Sequence, residues 1–304
     1  MGQVDPHSRN NPEPSMINSL LKRFIYPSLK KYRRSRAKSA ATKLASHADP
    51  RVRAVGVALL ETLTGVLSPE ERAWVERIEQ RRKFLLHSDK SITVIDYGAG
   101  EPGSKKTMDE MNAGHETTAY VQNICKSSKP PYWATLLFRM VRSLKPESCV
   151  ELGSCVGISA SYLSAACQLN GKGLLRTLEG SPATAEIARE SLEGLGLENG
   201  SVITGPFHKT LQGVLELAKP VDFFFNDGHH DRTAVHQYFN LSLPYLAEDA
   251  VIVFDDISWS PGMRQAWQEI ENDSRVSVTL DLYKIGIAIL GNDPSAKKKY
   301  RISL

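Results

Sequence analysis

The sequence predicts an α/β protein: a doubly wound sheet, mostly parallel with an antiparallel C-terminal strand pair, plus an N-terminal helical extension. Three observations predict it. From Ser148 onward, short apolar strands alternate with helical runs, the pattern of a doubly wound sheet. The stretch from Ser148 to Pro182 reads strand, glycine turn, helix, strand, and then an acidic residue. Near the C-terminus, Val276 to Leu282 and Ile285 to Leu290 read as a closing antiparallel pair.

Residues 1–15 are polar and proline-rich and read as a disordered leader, in part a remnant of expression, with Met16 as a candidate native start. Residues 16–126 read as a helical cap region. Met16 to His47 carries many Lys and Arg and no acidic residue. Leu20, Leu21, Phe24, Ile25 and Leu29 fall on one side of a helix, with Lys22, Arg23, Lys30 and Lys31 on others. A basic amphipathic helix is able to lie on anionic lipid or nucleic acid. The favoured expectation is that it packs its apolar face on its own protein or on a second subunit, so a homodimer is expected and nucleic acid is not. A second helix is expected from Pro50 to Leu67. Ser68-Pro69-Glu70-Glu71 then opens a third, with Ser68 as N-cap, Pro69 in the first helical position and acids in the first turn. Ser91 to Gly100, S-I-T-V-I-D-Y-G-A-G, is a strand followed by a glycine turn. The polar stretch Glu101 to Lys106 cannot begin a buried helix, so the segment reads as a loop or small hairpin that covers the active site.

Residues 127–292 read as the catalytic domain. Trp133 to Leu144 is a helix leading into the first core strand, and Ile158 to Leu169 is a helix rich in Ala and Leu that Gly171 and Gly173 end. Leu174 to Leu178 is the next strand. A helix from Thr184 to Leu195, a strand from Ser201 to Thr204 and a helix from Thr210 to Ala218 follow. Val221 to Asn226, V-D-F-F-F-N, is apolar enough for a central strand buried on both faces. A helix around Val235 to Leu246, a strand from Ala250 to Phe254 and a helix from Pro261 to Ile270 complete the alternation. Residues 293–304 form a basic tail.

The chain has 304 residues and a formal net charge of +4, enough length for one substantial α/β domain with an added element. No apolar run approaches a membrane span, and the N-terminus lacks a signal-peptide core. Cys125, Cys149, Cys155 and Cys167 have no paired or metal-ligand spacing; reduced thiols in a cytoplasmic protein are the expectation.

The glycine turn carries the chemistry. Gly153 and Gly157 let a backbone pass close to a ligand, and Glu179 ends the next strand, where open α/β sheets place ligand-binding groups. A carboxylate there accepts hydrogen bonds from both hydroxyls of a ribose, so the site suits a nucleoside. Dinucleotide binders need G-x-G-x-x-G, and the middle position here is Cys155, which argues against an NAD-dependent oxidoreductase. The pattern E-L-G-S-x-x-G-x-S closely resembles motif I of the class I S-adenosylmethionine-dependent methyltransferases, in the form used by their O-methyltransferase branches. That resemblance implies a Rossmann-like sheet and S-adenosylmethionine as cofactor. It is expected to be held by Glu151, Gly153, Ser154, Gly157, Ser159, Glu179, Gly180, Ser181, Gly205, Phe207 and Asp227, with Glu151 and the turn backbone suiting the amino group of the methionine end. Lys129-Pro130-Pro131-Tyr132 imitates the Asn- or Asp-Pro-Pro-Tyr motif of amino-methyltransferases, but it precedes motif I instead of following strand four, and it is read as a decoy.

Two further segments leave the same sheet edge: Asn226-Asp227-Gly228-His229-His230-Asp231 and Asp255-Asp256-Ile257-Ser258-Trp259. D-G-x-H followed by helix, strand and D-D resembles the family that includes macrolide-sugar O-methyltransferases, over about Ser148 to Leu290. Asp227 and His230 fall on that family's Asp and His, and Asp255 and Asp256 on its acidic pair. His229 is a second imidazole competing for the role of base. Three carboxylates at one edge repel each other unless neutralised, and Mg²⁺ on Asp227, Asp255 and Asp256 would do so while lowering the pKa of a bound hydroxyl. The alternative for the acidic pair is loop capping. Trp259 is expected to line the acceptor pocket and Trp267 to pack in its helix. The expected activity is O-methylation of a small-molecule or natural-product acceptor. Methyl-ester formation on a carboxylate and an RNA-binding methyltransferase that uses the basic N-terminal segment are the alternatives.

Overall fold

Local capping sets the N-terminal helices. Helix α1 (Tyr26–Ala45) buries Ala37, Ala41 and Leu44 against α2 (Pro50–Thr64). Gly56 of α2 has no side chain where the backbone of Leu44 and Ala45 crosses it. The Asp49 carboxylate accepts the Arg51 and Val52 N–H groups to start α2, and Gly65, at φ 74°, ends it. Ser68 and Glu71 form a reciprocal capping box that starts α3 (Pro69–Leu86), as the S-P-E-E sequence implies. The computed structural model describes residues 26–100, 106–291 and 297–304. The expectations for residues 1–25, for Glu101 to Lys105 and for the start of the basic tail therefore lie outside the described residues.

Strand β1 (Ser91–Asp96) pairs antiparallel with β2 (His115–Tyr120), with Ser91 opposite Tyr120 and Asp96 opposite His115. The small hairpin read from the sequence is present. Its second strand was not anticipated, because H-E-T-T-A-Y is polar and lies mostly exposed. The short helix α4 (Met108–Ala113) sits between the two strands, and α5 (Val121–Lys126) and α6 (Pro131–Leu144) lead on to the main sheet.

That sheet comprises β3 (Ser148–Leu152), β4 (Leu174–Glu179), β5 (Gly200–Thr204), β6 (Val221–Asn226), β7 (Leu246–Phe254), β8 (Val276–Asp281), β9 (Gly286–Leu290) and β10 (Lys298–Arg301). Their spatial order is β10-β8-β9-β7-β6-β3-β4-β5. Strands β3 to β7 run parallel, and β9 is antiparallel to both β7 and β8. The basic tail is more than a tail, since Lys298–Arg301 adds an edge strand parallel to β8. Strand β7 begins at Leu246, four residues before the apolar run that marks it in sequence, because Leu246 already pairs with Val221.

Helices α7 (Ile158–Leu169), α8 (Pro182–Leu195), α9 (Phe207–Ala218), α10 (Arg232–Ser242) and α11 (Pro261–Asn272) cover the sheet. Period-two alternation divides the core in two. Cys149, Phe223 and Phe225 join one buried cluster, which also contains α6, α7 and the N-terminal helices. Val150, Leu152 and Phe224 join the other, under α9, α10 and α11. The cap region is thus continuous with the first core layer through Leu59, Ile78, Phe138 and Tyr162. The Cys149 and Cys167 thiols come within 3.8 Å of each other, both buried, a proximity that their sequence spacing does not show. Among the described residues no single helix is long and apolar enough to cross a membrane.

Candidate active site

Strands β3, β4 and β6 end together, and their C-terminal turns form one wall of a cleft of about 290 Å³. Leu152 pairs with Leu178 on one side and with Asn226 on the other, so Gly153, Glu179 and Asp227 exit the sheet as neighbours. Gly153, at φ 92°, lies where any Cβ would run into the Asp227 carbonyl oxygen. Cys155, in the position where dinucleotide binders carry glycine, takes φ 50° with a side chain in place. This conformation costs a non-glycine residue about 1–3 kcal/mol. It turns the Cys155 N–H onto Glu179 Oε2 at 2.9 Å. Gly157, at φ 85°, opens α7 with Ala188 packed so closely that a side chain would not fit.

Glu179 also accepts the Ser181 N–H at 3.0 Å, and burial pushes its carboxyl up to about 7. Glu151 is fully buried beneath the turn. Thr177 donates to its Oε2 at 2.6 Å, while among the described residues Oε1 has no hydrogen-bond partner. Burial pushes Glu151, too, up to about 7. Of the residues expected to hold the cofactor, Gly153, Ser154, Ser159, Glu179, Gly180, Phe207 and Asp227 line the cleft. Glu151, Gly157, Ser181 and Gly205 stand behind it. Gly205 anchors Glu179 by donating its N–H to the Glu179 carbonyl at 2.9 Å, and Ser181 Oγ accepts the Ile95 N–H at 3.3 Å. This last bond ties the hairpin to the sheet edge. Tyr97, just past β1, roofs the cleft against Gly180, where a Cβ would meet its ring at 2.5 Å. A carboxylate at the end of β4, a close-approach turn and an orphaned buried oxygen on Glu151 together fit a nucleoside that carries an amino group.

The two histidines after β6 diverge. Both take left-handed conformations, His229 at φ 64° and His230 at φ 41°. His229 is buried, with Nδ1 3.0 Å from the Tyr238 hydroxyl and its ring against Phe207. Burial depresses it to about 4 and keeps it neutral. His230 also lines the cleft, with Nε2 3.8 Å from Asp227 Oδ1 and its ring 5.8 Å from that of Trp259. Burial lowers its pKa as well, and Asp255 and Asp256 work against that shift. Trp259 lies beside His230 but lines a neighbouring cavity with Tyr283 and Arg301, while Trp267 is buried under the sheet.

Asp227, His230 and Asp255 bring one ligand atom each within 4.8 Å of one another. Asp256, at φ 48°, is not part of that group. The acidic pair read from sequence is therefore split, and His230 stands with the two remaining aspartates. Lys129 opens the K-P-P-Y segment that imitates another motif in sequence, and its ammonium lies among them. Nζ donates to Asp227 Oδ1 at 3.2 Å and to Asp255 Oδ2. Burial opposes the charge on Lys129, but Asp227 and Asp255 outweigh it and hold the ammonium protonated. One cation does not neutralise two carboxylates. Burial first, and the adjacent Asp227 next, push Asp255 up to about 7. A divalent cation on the same oxygens would meet this ammonium as a like charge, so in this arrangement the residues do not fit a metal.

No sequence signal marks Lys129, because tertiary contacts place it. Its carbonyl accepts from Arg82 Nη2 at 2.8 Å, and the Arg82 guanidinium is paired with Glu79 at 2.9 Å. Glu79 in turn accepts from the Tyr162 hydroxyl at 2.8 Å. Helices α3 and α7 thereby fix the residue that enters the acidic cluster.

A methyltransferase-domain family model matches residues 150–257, which span the glycine turn, Glu179, the two histidines and the acidic pair. No curated protein sequence matches the chain. Among solved structures, an O-methyltransferase from Bacillus cereus in complex with SAH aligns with a TM-score of 0.50 at 21% identity, over 76% of this chain and 96% of that one. The SAH-bound methyltransferase PaMTH1 of Podospora anserina aligns with a TM-score of 0.51 at 16% identity, over 75% and 89%. These likenesses carry the fold alone. The domain match shows that residues 150–257 are similar to a methyltransferase domain.

Proposed function

We propose that the protein methylates a hydroxyl oxygen of a small-molecule acceptor, with His230 as the general base. The observation that carries this reading is the placement of His230, a neutral imidazole beside Asp227 at the cleft that Glu179 and Gly153 form. S-adenosylmethionine supplies an electrophilic methyl group on sulfur. The chain's own residues do the rest. Glu179 takes the ribose hydroxyls, the turn backbone faces the amino group with the Glu151 carboxylate behind it, and Tyr97 closes over Gly180. A hydroxyl is a poor nucleophile at neutral pH, so a base in hydrogen-bond reach is what the oxygen requires. Asp255 and Asp256 stabilise the protonated form of the imidazole, Asp227 stands 3.8 Å away, and the Trp259 ring lies against it.

His229 is unsuited to the role, since its Nδ1 faces Tyr238 and it packs under Phe207. The basic helix α1 spends its small apolar face on α2, which supports packing within the protein over an RNA-binding role. The test is a screen of hydroxyl and carboxylate acceptors with S-adenosylmethionine bearing a deuterated methyl, read by mass spectrometry and followed by alkaline hydrolysis. A labelled product that survives alkali is an ether and supports the reading. A labelled product that alkali cleaves is a methyl ester and replaces it.

A further inference from the structure

We propose that Lys129 is the resident cation of the acidic cluster, standing where a divalent metal would stand and presenting a donor to the acceptor oxygen. The inference rests on the proposed O-methylation and deepens it. An ammonium has three donors. Two go to Asp227 Oδ1 and Asp255 Oδ2, and Lys129 also lines the cleft, so the third has the cleft to face. The side chain is buried at 9% exposure and its position is over-determined. Arg82 holds its carbonyl, Phe225 lies below Nζ at 5.9 Å, and Pro130 and Pro131 fix the backbone entering α6.

A metal in such a site would neutralise the carboxylates and make the bound hydroxyl more acidic. The ammonium offsets part of the carboxylate charge and offers the bound hydroxyl oxygen a charged donor. In the step itself, the acceptor oxygen forms a bond to the methyl carbon as the carbon–sulfur bond breaks. The electron pair of that bond stays on sulfur, which becomes a neutral thioether. The hydroxyl proton passes to His230. Lys129 keeps its own protons throughout and stabilises the negative charge that develops on oxygen.

The test is Mn²⁺ binding followed by electron paramagnetic resonance, with neither cofactor nor acceptor present. The wild type is expected to leave Mn²⁺ free at millimolar concentration, because its carboxylates are already paired. Lys129→Met removes the ammonium, and the freed Asp227, His230 and Asp255 should then bind Mn²⁺. Turnover of the wild type should be unchanged by excess chelator, that of Lys129→Met should fall about 100-fold or more at unchanged cofactor affinity, and Lys129→Arg should recover part of it. Tight Mn²⁺ binding by the wild type, or turnover that chelator abolishes and Mg²⁺ restores, overturns the proposal. So does full activity in Lys129→Met. If that variant does not fold, the wild-type measurements decide alone. Failure of the O-methylation reading is a separate result: a wild type that leaves Mn²⁺ free and yet forms only methyl esters.

Discussion

His230 is the residue on which the chemistry turns, and its surroundings set a testable pH dependence. Asp227, Asp255, Asp256 and Lys129 surround it, and burial holds its pKa below the ordinary value of 6.5. The base form is therefore already present at neutral pH. Turnover should rise as pH climbs through a value below 6.5 and level off by neutrality, and this acid limb should vanish in His230→Ala. A wild-type profile that is flat on the acid side would remove His230 from proton transfer. His229→Ala belongs to a different class. Losing the Tyr238 bond and the contact with Phe207 should cost about 1–3 kcal/mol of stability, read by denaturant titration, with a smaller effect on turnover. For the cofactor, Glu179→Ala should weaken S-adenosylmethionine binding by about 1.5–3 kcal/mol, the range of charge-assisted hydrogen bonds, as measured calorimetrically on the folded variant. These residues were legible in the sequence because each follows directly on a strand whose apolar run marks its end. Lys129 was not. It precedes a helix, 98 residues from Asp227 and 126 from Asp255, and its partners are brought to it by the fold.

The hairpin of β1 and β2 is the element that completes the cleft. Its first half too is a strand followed by a glycine turn, but β1 lies outside the main sheet and packs on α8. The polar stretch Glu101 to Lys106 is the sequence signal for a covering role, but nothing near Tyr97 in sequence points to its contact with Gly180. Gly180→Ala places a methyl group 2.5 Å from the Tyr97 ring and should lift this roof. Cofactor affinity should fall about tenfold with thermal stability little changed, the consequence of losing an aromatic cover over a bound base. An unaltered dissociation constant would show that the hairpin does not close over the cofactor. The same physics explains the reading errors in the strands. Edge elements such as β2 and β10 are polar, so hydrophobic periodicity does not reveal them, whereas the buried V-D-F-F-F-N run of β6 has the bounds its composition implies.

At the scale of the molecule, the N-terminal helices and the main sheet share one core, and the helices reach the candidate site through Glu79, Arg82 and Lys129. A chain starting near Ser127 should therefore lose stability and activity together, and one that is monomeric, stable and fully active would refute the link. Arg82→Ala is the milder test, with turnover reduced and cofactor affinity kept. The central claim remains proton removal by His230 during methyl transfer to a hydroxyl. It is tested most directly by the single-turnover rate of methyl transfer to an identified hydroxyl acceptor, with S-adenosylmethionine saturating, in the wild type and in His230→Ala. The account predicts a fall of about 100-fold or more at unchanged cofactor affinity. An undiminished rate in the variant would contradict it.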